Sequence, residues 1–250
     1  AEESARREAP SYSTASIVNS ATNLAGELAP NTIATIYGTG LANTVRALRA
    51  EDIRNGTLPF ELSGAGVRVL VGTLPAQLYY VSPTQVNFLI PPNLKAGDTD
   101  IQLTLDGRAG PAVRLKLLES APALFQLDSE MAVATRADGS VVTREQPAAA
   151  GEVIVLYATG LGRTDPDAEY GLLPLRPAYI RRFPELAVWL GGKAIDSRSI
   201  FYAGVTPGFA GLYQINLTLP EKLELNPEVR VILGSQASPA GVHLPARPQQ

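Results

Sequence analysis

The chain has 250 residues, with 24 acidic and 21 basic side chains, one histidine and no cysteine. Without cysteine there can be no disulfide, thiol nucleophile or thiolate metal site, and a net charge of −3 with scattered Lys and Arg argues against a nucleic-acid partner. Hydrophobic residues at 45%, with 22 glycines and 20 prolines, describe a turn-rich globular chain, long enough for one large domain or two of roughly 100–125 residues.

In chain order, Ala1–Glu8 is charged, and its first residues fit a mature end left after signal-peptide cleavage. Ser11–Val18, which includes Tyr12, is β-prone. Residues 1–16 therefore read as an N-terminal arm, either loose or adding a strand to a sheet edge, its own or a neighbour's. Strands are then expected at Thr32–Tyr37, Val67–Val71 and Gln85–Ile90, with a short helix at Val45–Ile53. Ile101, Leu103 and Leu105 alternate with polar residues, as do Val113, Leu115 and Leu117. Successive side chains of a strand point to opposite faces, so each run predicts a strand with one buried face. Ala121–Ala150 reads as a linker carrying a hairpin, Ala132–Thr135 with Val141–Thr143, turning at Asp138-Gly139. Val153–Tyr157, Leu186–Leu190, Ile215–Leu219 and Val229–Leu233 continue the strands. No apolar run approaches the roughly 20 residues of a membrane helix.

The chain repeats itself. Tyr37-Gly-Thr-Gly-Leu41 recurs as Tyr157-Ala-Thr-Gly-Leu161, and Gly66–Gly72 matches Glu185–Gly191. Gln85–Pro91 matches Gln214–Pro220, and Arg108–Leu115 resembles Gln236–Leu244. Four matches in one order predict two copies of one β-domain, at 17–120 and 151–250. The repeated glycine stretch lacks the third glycine and the following helix of a dinucleotide fingerprint. It is expected to bend a strand.

The stretches LAPNTIATIYGTGL, LYYVSPTQVNFLIPPNL, SAPALF, GEVIVLYATGLG and VTPGFAGLYQINLTLP resemble an uncharacterised C-terminal domain family of exported acidobacterial proteins. Each copy more loosely resembles the immunoglobulin-like IPT/TIG domains. The resemblance implies tandem immunoglobulin-like sandwiches and an extracellular or cell-surface setting, and brings no catalytic residues with it.

Chemistry is sparse. His243 lies in a predicted strand, with no Gly-x-Ser-x-Gly elbow to partner it. Asp165, Asp167 and Glu169 stand at alternate positions as weak calcium candidates without EF-hand order. Tyr12, Tyr79, Tyr80, Trp189 and Tyr202 are interaction candidates if exposed, since aromatic rings stack on sugars or fill a partner's pocket; core packing is the competing role. Gln85 and Asn87 recur as Gln214 and Asn216 and predict a structural hydrogen bond to a neighbouring turn.

The expected fold is all-β: two tandem immunoglobulin-like sandwiches, a hairpin-bearing linker and an N-terminal arm. The expected role is non-enzymatic and without cofactor or metal: an exported surface module, structural or adhesive, self-associating through the arm and the sheet edges. The alternatives are a carbohydrate-binding module using exposed aromatics, with a glycan or another surface protein as partner, and, third, an enzyme of unknown type.

Overall fold

A computed structural model of the chain describes residues 9–248. The first half carries β1 (Ile17–Asn19), β2 (Ile33–Tyr37), β3 (Arg46–Ala47), β4 (Val67–Val71), β5 (Leu74–Pro75), β6 (Leu78–Val81), β7 (Gln85–Leu89), β8 (Gly97–Leu105), β9 (Arg108–Ala109) and β10 (Val113–Leu117). The second carries β11 (Ala123–Leu124), β12 (Ala134–Arg136), β13 (Ala148–Ala149), β14 (Val153–Thr159), β15 (Thr164–Asp165), β16 (Tyr179–Ile180), β17 (Leu186–Leu190), β18 (Lys193–Ala194), β19 (Ile200–Thr206), β20 (Phe209–Thr218), β21 (Val229–Leu233), β22 (Gln236–Ala237) and β23 (Ala246–Arg247). Among the described residues the only helical elements are single 3-10 turns.

The strands stack as two β-sandwiches. One sheet of the first runs β1-β2-β7-β6-β3 and the other β10-β8-β4-β5. In the second, β11-β14-β20-β19-β16-β15 stands with β18-β17-β21-β22, and β12 also pairs with β14. Period-two alternation explains the layers. Val67, Val69 and Val71 are sealed while Arg68 is exposed, and Ile101, Leu103 and Leu105 join them from β8. Each fully buried aliphatic side chain contributes about 1.5–3 kcal/mol.

The two halves share their pairing. β2 lies on β7 as β14 lies on β20, and β4 lies on β8 as β17 lies on β21. The leading segments match as well. Ser11 pairs with Thr39 and β1 sets Ile17 against Ile36; Ala123 pairs with Thr159 and β12 sets Ala134 against Leu156. Thr39 and Thr159 are the same position of the repeated Tyr-x-Thr-Gly-Leu stretch, as are Ile36 and Leu156. The arm and the stretch after Ala121 therefore do the same job, each closing the edge of its own sandwich.

From Ala9 onward the arm is committed to its own sandwich. The Tyr12 hydroxyl donates to the Pro111 carbonyl and accepts from the Leu103 N–H, both at 2.7 Å. Its ring fills the space over Gly110, where a Cβ would stand 2.7 Å from the Tyr12 ring. Residues 1–8, the charged start of the arm, lie outside the described residues.

The hairpin forms: Thr135 pairs with Val141, and the Arg136 N–H donates to Ser140 O at 2.9 Å. It does not hang between the sandwiches. β12 joins β14, and Leu124, Ala132, Ala134, Val142 and Ala148 enter the second core. His243 sits at that junction, its N–H donating to Glu130 O at 2.7 Å and its carbonyl accepting from Ala132 N–H at 2.8 Å. The helix expected at Val45–Ile53 is instead β3 and a 3-10 turn at Ala50–Asp52. Asp52 accepts from the Arg46 guanidinium at 2.6 Å and from the Arg49 N–H at 2.9 Å, and so short a segment cannot offset the cost of nucleating an α-helix.

Candidate functional site

The feature that most constrains function is the seam between the sandwiches. Asn31, held at φ 62°, donates its side-chain amide to the Tyr213 hydroxyl at 2.9 Å. That hydroxyl, wholly buried, donates to the Gly162 carbonyl. Thr159 accepts from the Ile33 N–H at 3.0 Å and donates to Gly211 O at 2.8 Å. The Tyr79 hydroxyl donates to Ala210 O at 2.8 Å. Around these bonds Leu58, Leu89 and Ala210 form a small apolar cluster with Ile33 and Tyr79. Gly211 is required there: at φ 75° a Cβ would stand 2.5 Å from Leu89 Cδ1 and 2.7 Å from Ile33 Cγ1. Burial drives the ionisation of Tyr79 and Tyr213 well above the ordinary phenol value, the Asn31 amide opposing it at Tyr213. The Tyr79 ring is only half-buried, but its hydroxyl is enclosed by the seam.

A strap from the second sandwich continues the seam. The Leu58 N–H donates to Gly171 O at 2.9 Å, and the Leu173 N–H to Gly56 O at 2.8 Å. The Tyr170 hydroxyl donates to Pro75 O at 2.6 Å, and its ring lies 5.5 Å from that of Phe60. The calcium candidates belong to the foot of this strap. Asp167 is held by two guanidinium groups, Arg163 in a two-point contact and Arg181 at 2.7 Å. Two cations on one carboxylate leave little field for a metal ion. Asp165 sits in β15 and Glu169 on the strap, and no group of three acidic or imidazole ligands converges among the described residues.

The aromatic candidates divide. Tyr12 and Tyr202 are core residues, the Tyr202 hydroxyl donating to Val205 O at 2.7 Å. Tyr79 belongs to the seam, and Tyr80 is half-buried in β6. Trp189 is 40% exposed on the outer face of β17, between Arg230 and Ala194. Beyond them the structure brings together an aromatic edge. Tyr179, 47% exposed, lies edge-on to Phe183 at 5.5 Å and to Tyr202 at 4.9 Å. Its hydroxyl donates to the carbonyl of Phe201, which is 48% exposed. A cleft of about 380 Å³ opens beside them, lined by Phe183, Leu186, Ile200 and Arg198 among others. Arg198 is anchored by Asp196, whose carboxyl is pushed down to about 2 by the Arg198 side chain and backbone N–H.

No family model and no curated protein matches the chain. Solved structures do. A surface glycan-binding protein of the Bacteroides ovatus mixed-linkage glucan utilization locus, in complex with a mixed-linkage heptasaccharide, aligns at 14% identity over 90% of this chain and 45% of that one, with a TM-score of 0.34. A surface glycan-binding protein of Prevotella bryantii aligns at 14% identity over 93% and 42%, with a TM-score of 0.28. Domains 5–6 of the S-layer protein SbsC align at 11% identity over 96% and 100%, with a TM-score of 0.30. The chain spans less than half the length of the two glycan-binding proteins. These neighbours are surface proteins, and at such low similarity nothing of their binding is carried over to this chain. Among the described residues no helix is long and apolar enough to cross a membrane.

Tyr179, Phe183 and the seam residues Asn31, Thr159 and Gly211 escape a reading of the sequence alone. Asn31 and Tyr213 are far apart in the chain, and nothing in either residue names its partner. Gln85 and Asn87 do bond, but to each other at 2.9 Å within β7, and Asn87 also to Thr35 at 3.1 Å. Asn216, its counterpart in the repeat, makes no such bond from its buried Oδ1 among the described residues.

Proposed function

We propose that the chain is a non-enzymatic, exported surface module, structural or adhesive, whose two sandwiches act as one rigid unit and each include their leading segment. The observation that carries this reading is the buried Asn31–Tyr213–Gly162 chain of hydrogen bonds across the seam. Polar groups buried across a junction must stay paired, because an orphaned buried donor or acceptor costs about 1–3 kcal/mol. A hinge opening here would break several of these bonds at once and expose the Leu58, Leu89 and Ala210 cluster to water. The exported setting is what the family resemblance implies. Antibody labelling of intact and permeabilised source cells tests it: signal only after permeabilisation contradicts a surface role.

Head-to-tail assembly by Ser11–Val18 is the less favoured form of this reading, since that segment already closes its own sheet. It requires withdrawal of Tyr12 from both of its hydrogen bonds. Light scattering of the full chain against a form lacking residues 1–16 distinguishes the two. Concentration-dependent growth that the deletion abolishes restores the strand-donor form.

A second reading, glycan binding, is favoured by the aromatic edge. Tyr179 and Phe201 present exposed rings, and Phe183, packed against Tyr179, lines a cleft with an anchored Arg198; aromatic faces with fixed polar neighbours suit sugar stacking. On a glycan array, Tyr179→Ala and Phe201→Ala should each abolish a signal that Trp189→Ala leaves intact. An array signal indifferent to both removes the edge from consideration.

A further inference from the structure

A second cleft, of about 340 Å³, lies at the mouth of the seam. The first sandwich supplies Pro30, Leu94 and Lys95, and the second supplies Arg163, Arg181 and Arg182. Four cations thus meet in a chain of net charge −3, facing a single lining carboxylate, Glu119. Asp167 and Glu185 neutralise part of this charge from behind. Even so, the cluster keeps an excess of one positive charge.

The donors are not all used. Arg163 and Arg181 both reach Asp167 through Nη2, and Arg163 also through Nε. Arg181 Nε donates to the Thr164 carbonyl at 3.1 Å. Nη1 of each guanidinium has no protein partner among the described residues, and Lys95 makes no ion pair among them. The two guanidinium groups are pre-oriented by the carboxylate they share, so little side-chain entropy remains to be lost on binding. Pro30 and Leu94 add an apolar wall.

We infer that this cleft binds an acidic sugar unit of a polysaccharide. The carboxylate or sulfate would meet Lys95 and the free guanidinium edges, and the C–H face of the ring would lie on Pro30 and Leu94. The volume suits one or two sugar rings. A bare anion would use the cations but leave the apolar wall idle, and a neutral sugar would leave the charge unmatched. The inference deepens the adhesive reading and rests on it only for where such a polymer is met. Binding in solution is separable from surface location, so failure of one leaves the other standing.

The test is affinity electrophoresis of the full chain in gels containing polygalacturonate, dextran sulfate, plain dextran or double-stranded DNA. Retardation is expected with at least one of the two acidic polysaccharides, and which one identifies the anionic group. It should fade as salt rises to about 0.5 M. Lys95→Glu and Arg181→Gln should each weaken retention by roughly tenfold, while Lys193→Glu, remote from the cleft, should not. Circular dichroism checks that each variant is folded, and Lys95 is exposed on a loop, so its replacement leaves the core untouched. Four results overturn the inference: no retardation by either acidic polymer, equal retardation by plain dextran, equal or stronger retardation by DNA, or equal losses in Lys95→Glu and Lys193→Glu.

Discussion

At the residue scale, two tyrosines hold the most information. Tyr213 has its hydroxyl in the seam with both an acceptor and a donor supplied. Tyr213→Phe should therefore cost about 1–3 kcal/mol of unfolding free energy, measured by urea denaturation. Their ionisation has a definite sign. The folded protein keeps the Tyr79 and Tyr213 phenols neutral well above their ordinary value, with burial the largest cause. Stability from this source is complete below roughly pH 10, where an unfolded tyrosine ionises, and is lost as pH rises beyond it. In an alkaline titration followed by phenolate absorbance, part of the signal from the nine tyrosines should appear only together with unfolding. A smooth titration of all nine in a protein still folded contradicts the seam geometry.

At the element scale, the arm is a structural strand. Gly38 lets it pass: a Cβ there would stand 2.2 Å from the Ser11 carbonyl. In the second copy the equivalent of Gly38 is Ala158, and the crossing chain passes over Gly160 instead: a Cβ there would stand 2.1 Å from the Ala121 carbonyl, and φ 76° disfavours a side chain on backbone grounds too. Gly160→Ala should destabilise by more than the ~1–3 kcal/mol of backbone strain alone, because the obstacle is backbone and cannot rotate away. Gly139→Ala, at φ 84° in the hairpin turn with open space around it, should show the strain cost only. Deleting residues 1–16 should lower the melting temperature by removing Tyr12 from the first core. An unchanged melting temperature shows the arm to be dispensable.

At the scale of the whole molecule, the seam predicts one cooperative unit. Calorimetry should give a single transition whose calorimetric and van't Hoff enthalpies agree. The decisive comparison is between two glycines with similar backbone strain. Gly208, at φ 86°, has no heavy atom within 4 Å of where a Cβ would stand, whereas Gly211, at φ 75°, has Leu89 and Ile33 of the other sandwich under 3 Å away. Gly208→Ala should lower one shared transition. Gly211→Ala should split it in two as the sandwiches uncouple. If both variants keep a single transition with equal shifts, the seam is not what joins the halves.

The strands are legible from residues alone. β8, β10 and β20 fall where apolar and polar residues alternate, because each pleated face selects its own polarity. Duplication is visible in Tyr-x-Thr-Gly-Leu, whose shared glycine keeps a positive φ in both copies, 63° at Gly40 and 76° at Gly160, a conformation side chains rarely adopt. The arm and the Ala121–Ala150 segment are harder, since their short strands carry little alternation and their shared role appears only in the register against β2 and β14. The seam, the aromatic edge and the cationic cleft belong to the tertiary structure. Alternation reports which side of its own sheet a residue faces, a property of neighbours in the chain. That Asn31 meets Tyr213, or Lys95 the arginines of the other sandwich, depends on how two finished sandwiches dock, and no local pattern encodes that.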